Sequence, residues 1–141
     1  MKRHQALQPL SRFHRSVLFL ALVAKPNGPA VKGYPTDHEG KVDFALSFYH
    51  HKLVPHFTHE ETQLYPAVQD QDPQIAQLVQ ELLAERRQLK ALFAELAQER
   101  PVATLNEIGL LLEKHVRKEE RQLFQKIQDV VDEEALRRLQ L

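Results

Sequence analysis

Two stretches of the chain carry residues that could do chemistry, and each repeats the other. His56-Phe-Thr-His-Glu60-Glu61-Thr-Gln-Leu-Tyr65 and His115-Val-Arg-Lys-Glu119-Glu120-Arg-Gln-Leu-Phe124 align His, two consecutive Glu, Gln, Leu and an aromatic in register. Residues four apart on a helix share a face about one turn apart. His56 with Glu60, and His115 with Glu119, can therefore each present an imidazole and a carboxylate to one ion or to two adjacent ions. Such donors without thiolate suit iron, manganese or zinc, and two bridging carboxylates suit a pair of iron ions better than a structural zinc. The chain has no cysteine, which excludes thiolate sites, disulfides, iron–sulfur clusters and cysteine nucleophiles. No nucleophilic triad or phosphate-binding loop accompanies the repeats, so hydrolase or kinase chemistry is not expected.

The elements that must position these residues read as helices. Four glycines in 141 residues, with many Leu, Gln, Glu and Arg, point to an all-α fold in a single domain spanning 1–141. A first helix is predicted to start between Leu7 and Ser11 and to run to about Ala24, with an apolar stripe of Leu7, Leu10, His14, Val17 or Leu18, and Ala21. A second, capped by Thr36 or Asp37, runs to about Val68. Pro55 inside it removes a hydrogen bond and predicts a loosened turn near His51. Its inward stripe passes through His56 and Glu60, where a buried carboxylate needs a cation, a salt bridge or a metal. His50, His51 and His59 fall on other faces and read as solvated or supporting groups, with His59 the first exception to expect. Asp72-Pro73 opens a third helix ending near Gln98, and two stripes fit it equally, one through Glu85 and one through Arg86. Thr104 and Glu107 read as a capping box for the fourth, whose stripe is Leu105, Ile108, Leu112, His115, Glu119, Leu123 and Ile127. Asp132 caps a short terminal helix. The expected architecture is an up-down-up-down four-helix bundle with a short C-terminal helix. Its narrow core would bring together His14, His56, Glu60, Glu85 or Arg86, His115 and Glu119.

With 19 basic and 19 acidic residues the formal charge is zero, so nothing favours nucleic acid or an anionic membrane as partner. The longest apolar stretch, Val17 to Ala24, is too short to cross a bilayer, and no signal-like segment follows the basic start. A cytoplasmic protein is the expectation.

The chain resembles the hemerythrin-like, or HHE cation-binding, family. The resemblance rests on Arg3-His4 with Pro9-Leu10-Ser11-Arg12 and His14, on Pro55-His56-Phe57 with Glu60-Glu61 and Tyr65-Pro66, and on His115-Val-Arg117 with Glu119-Glu120-Arg121 and Leu123-Phe124. It implies a four-helix bundle around a non-haem di-iron centre, with His14, His56, Glu60, His115 and Glu119 at ligand positions. Two departures surround that site. Where relatives of this type have Ser-Arg-Asp-His-His, the chain has Ser11-Arg12-Phe13-His14-Arg15. Where the third helix of the family offers a His after an acidic residue, it has Glu85-Arg86. Arginine cannot give up its proton, and three outcomes follow. Glu85 could turn inward and replace the histidine as a metal ligand. Arg86 could lie inside, pair with Glu60 or Glu119 and stand in for one cation, leaving one metal or none. It could also turn outward and leave a coordination position open. The implied function is iron binding, at two ions or one, in O2, NO, peroxide or iron handling or sensing. The alternative is a metal-free helical interaction module in which Arg86 replaces a metal ligand.

Overall fold

Helix boundaries follow local chemistry closely in the computed structural model, which describes residues 2–141. After a short 3-10 turn at Gln5–Leu7, α1 (Gln8–Val23) begins with Pro9 in its first turn, where a missing N–H leaves no bond unmade. Asp37 accepts a hydrogen bond from the Gly40 amide at 3.0 Å and caps α2 (His38–Phe48). The helical path then continues to Val68 through a π-helical turn (Tyr49–Leu53), α3 (Val54–His59), a second π-helical turn (Glu60–Leu64) and α4 (Tyr65–Val68). The expected loosening near His51 is thus a widened turn just ahead of Pro55. Asp72 accepts from the Gln74 amide at 2.8 Å and caps α5 (Pro73–Glu99), which Arg100 ends in a left-handed conformation (φ 56°).

The fourth helical path comprises α6 (Val102–Lys118), a third π-helical turn (Glu119–Leu123) and α7 (Phe124–Val130). The predicted capping box does not form: α6 starts at Val102, preceded by Pro101 in an extended conformation and without a side-chain cap, and Thr104 is buried. Pro101 fixes the start upstream and leaves Thr104 inside the helix. Asp132 caps α8 (Glu133–Arg137) as expected, accepting from the Ala135 amide at 2.8 Å.

The chain is all-helical, with α1 and α5 both packed along α6. Gly109 permits the first of these contacts, since a Cβ there would stand 3.1 Å from both the Ala21 carbonyl oxygen and Ala24 Cβ. The apolar interior falls into two clusters, and each long helical path crosses from one to the other. At every crossing stands a buried polar residue. His14 lies between Leu10 and Val17, Glu60 between Phe57 and Leu64, Arg86 between Leu82 and Leu89, and Glu119 between Val116 and Leu123. The expected convergence near mid-bundle is therefore what the fold produces. Among the described residues, no helix is long and apolar enough to cross a membrane.

Candidate metal centre

Glu60 and Glu119 are each 0% exposed, and His14, Arg86 and His115 are buried with them. On one side of this pair of carboxylates lies Arg86. Its Nη2 hydrogen-bonds Glu60 Oε1 and, at 2.6 Å, the Tyr65 hydroxyl, and it stands 3.7 Å from Glu119 Oε1. Nη1 donates to the Phe57 carbonyl at 3.2 Å and to Glu61 Oε2 at 3.0 Å, while Nε donates to His115 Nε2 at 3.4 Å. The guanidinium also stacks over Phe57, 4.1 Å from the ring centroid. Planar and weakly hydrated, this group suits burial among several acceptors. Tyr65 completes the link by donating from its hydroxyl to Glu119 Oε2 at 2.9 Å.

On the other side, donor atoms point at one another without partners. His14 Nε2, His56 Nε2, Glu60 Oε2 and Glu119 Oε1 are all buried and make no hydrogen bond. His14, His56 and Glu60 each offer one ligand atom within 4.8 Å of the others. His14 Nε2 lies 3.3 Å from Glu119 Oε1, and His56 Nε2 lies 3.3 Å from Glu60 Oε1. Buried polar atoms ordinarily find partners, so these unpartnered donors mark a candidate cation site. The donor types, two imidazoles and two carboxylates, fit iron, manganese or zinc.

Supporting groups orient the imidazoles. His14 Nδ1 pairs with Glu120 Oε2 at 2.9 Å, and Glu120 is itself held by Ser11 at 2.9 and 2.8 Å. This leaves His14 Nε2 facing inward, the carboxylate–histidine arrangement that fixes a ligand's tautomer. Phe13, in place of an acidic residue, stacks on the His56 ring at 4.1 Å between centroids.

The predicted residues thus divide. His14, His56 and Glu60 form the clustered donors, and Glu119 borders them through its unbonded Oε1, 3.3 Å from His14 Nε2. Glu85 is buried but does not face them: Oε1 pairs with His115 Nδ1 at 3.0 Å and Oε2 accepts from Lys118 at 2.8 Å. The first outcome foreseen for the third helix, Glu85 turned to the ions, is not what this arrangement shows. Nor does Arg86 turn outward; it occupies the interior, as in the second outcome. His115 lies between Glu85 and Arg86, with Nδ1 paired to the carboxylate and Nε2 accepting from the arginine. His50 and His51 are exposed, while His59 is partly buried, with an Nε2 that is also buried without a hydrogen bond but is not among the clustered donors. The reading of polar breaks in apolar stripes missed Tyr65, Phe57 and Phe13, because each sits at a position where an aromatic is unremarkable. The one signal was that Tyr65 carries a hydroxyl where the second repeat has Phe124.

The electrostatics follow from this packing. Burial alone would lower the His14 pKa, but the Glu119, Glu120 and Glu60 carboxylates outweigh it and push the value up to about 10. Burial would raise Glu119, yet His14 and Arg86 hold it well below the usual carboxylate range. Tyr65 is pushed well above the usual phenol range by burial and by Glu119 and Glu60. Val17, Leu53, Phe57, Leu112 and Val116 close round His14, His56, His115 and Glu119 and leave no space for a water-sized molecule.

A helical bundle with inward-facing histidines and carboxylates, unpartnered and buried, defines the class as a helical cation-binding domain. Comparison with family models agrees: the hemerythrin HHE cation-binding domain matches residues 19–127, and the chain belongs to that family. The match begins beyond His14, so the structure supplies that residue's place in the group. No curated protein and no solved structure matches the chain.

Proposed function

We infer that the chain holds iron in this centre and uses it to bind or sense a small ligand such as O2 or NO, or to handle iron or peroxide, rather than to catalyse group transfer. The observation that carries this reading is the set of buried, unpartnered donors on His14, His56, Glu60 and Glu119. Two histidines and a carboxylate form the donor type of non-haem ferrous sites with open positions, whereas a structural zinc more often closes its tetrahedron with thiolates. Bound ferrous iron would supply an electron-rich centre able to take a diatomic ligand. The chain's own part is to orient its imidazoles through Glu120 and Phe13, to neutralise charge with Arg86, and to exclude water with an apolar wall. A low-polarity surround also limits solvent access to the ion.

Anaerobic reconstitution of the chelator-treated protein with ferrous iron tests the reading, followed by elemental analysis after desalting and visible spectra before and after NO. Stoichiometric iron and a spectral change on adding NO are expected. Iron well below one per chain would overturn it and favour the rival reading, a metal-free interaction module. The observation behind that rival is that Arg86 and a protonated His14 already supply two positive charges against Glu60 and Glu119.

A further inference from the structure

We propose that the centre is built for a single divalent transition-metal ion, held by His14, His56, Glu60 and Glu119, with the Arg86 guanidinium as its permanent second cation. This rests on the metal-binding reading above and specifies its stoichiometry and its chemistry.

The two sides of the carboxylate pair are not equivalent. Toward α1, the donor atoms are orphaned and clustered. Toward α5, every comparable atom is occupied. One Glu60 oxygen, Oε1, is bonded to Arg86 and the other, Oε2, is free. One Glu119 oxygen, Oε2, is bonded to Tyr65 and the other, Oε1, is free. Each carboxylate therefore has one oxygen hydrogen-bonded within the protein and one that is not; the bonded Glu60 Oε1 is also the atom 3.3 Å from His56 Nε2, and the unbonded Glu119 Oε1 lies 3.3 Å from His14 Nε2, 3.6 Å from His115 Nε2 and 3.7 Å from Arg86 Nη2. His115, which would complete a second ion site, has its Nε2 lone pair directed at Arg86 Nε and its Nδ1 paired with Glu85. The guanidinium thus fills the place between Glu60, Glu119 and His115 with hydrogen bonds and positive charge. A second ion there would have to displace a group bonded to Phe57, Glu60, Glu61, Tyr65 and His115.

The substitution changes what the centre can do. A guanidinium neither changes oxidation state nor releases its proton among carboxylates. A centre with one metal ion and one guanidinium would therefore change oxidation state at the metal alone, with no second ion to share the change.

The test counts metal. The chelator-treated full chain is titrated anaerobically with Fe²⁺ and, as a visible-spectrum probe, with Co²⁺, and retained metal is measured after desalting. The wild-type chain and Arg86→Lys, which keeps the cation, are expected to saturate at one equivalent. Arg86→His, which exchanges the cation for a donor, is expected to saturate at two. A wild-type or Arg86→Lys chain that binds two equivalents overturns the single-ion proposal while leaving the metal-binding reading intact. So does an Arg86→His chain with native helicity and cooperative melting that still binds only one. A wild-type chain that binds neither metal overturns the metal-binding reading itself. Should Arg86→His not fold, the wild-type and lysine counts decide.

Discussion

Arg86 and the two fully enclosed carboxylates it faces set the energetics of the interior. Removing one partner of a buried ion pair strands the other, at a cost of about 3–5 kcal/mol. Arg86→Met strands Glu60 and weakens the neutralisation of Glu119, so urea denaturation in chelator should show a loss of about 3 kcal/mol. A divalent metal should recover part of that loss. A change below about 1 kcal/mol, the scale of an exposed pair, would mean that Arg86 is not the principal counter-charge. The histidines separate in a second experiment. His56 offers an unpartnered Nε2 to the cluster, whereas both ring nitrogens of His115 are engaged by Glu85 and Arg86. His56→Ala should therefore weaken Fe²⁺ binding by more than about 100-fold, beyond the 10–100-fold typical of losing an outer support. His115→Gln, which keeps a polar group between Glu85 and Arg86, should weaken it by about 10-fold or less. Equal losses in anaerobic titration would return His115 to the ligand set.

At the scale of the helices, the repeat carries a second message that spacing alone could have given. Following each His, the inward positions recur at four-residue intervals, His56 partly buried and the others buried: His56, Glu60, Leu64, Val68, and His115, Glu119, Leu123, Ile127. A regular helix turns every 3.6 residues, so three successive steps of four would rotate the stripe away from the core. The π-helical turns Glu60–Leu64 and Glu119–Leu123 absorb the excess, and each begins at the carboxylate of its pair. Proline contributes in the second helical path, where Pro55 and Pro66 closely follow widened turns, but Glu119–Leu123 has no proline near it. The helices, most of their caps and the convergence of polar residues were legible because periodicity records burial. The choice between Glu85 and Arg86 was not, because adjacent residues on α5 are both buried and only the partners across the core distinguish them. The widened turns can be tested by deleting Gln63, an exposed residue within the first. The deletion returns the path to regular helical spacing, with Leu64 then three residues after Glu60 and still on the inner face. Circular dichroism should retain its helical signal, while Fe²⁺ affinity should fall about 10-fold or more as the Glu60 carboxylate loses its orientation. Unchanged affinity would show that the wide turn serves packing alone.

For the whole molecule, the question is whether the ion is a keystone or a guest. The candidate ligands come from three helical paths and meet at the junction of the two apolar clusters, so an ion there would tie the bundle together at its middle. In small domains built around a structural metal, the metal-free chain is unfolded because nothing else supplies the folding energy. Here much else does. Apolar clusters lie above and below the centre, and the interior carboxylates already face Arg86 and a His14 whose pKa stands near 10. The ion therefore adds its binding energy to a bundle that stands without it. By mass action, metal at a hundredfold excess over its Kd stabilises by about 2.7 kcal/mol, which for a domain of this size raises Tm by roughly 10 °C. Thermal melts followed by circular dichroism should show this shift between chelated and Fe²⁺-loaded protein, with a cooperative transition and full helical signal in both. Collapse of the helical signal on chelation would show that Arg86 and His14 do not balance the buried carboxylates, and that the ion is required for the fold.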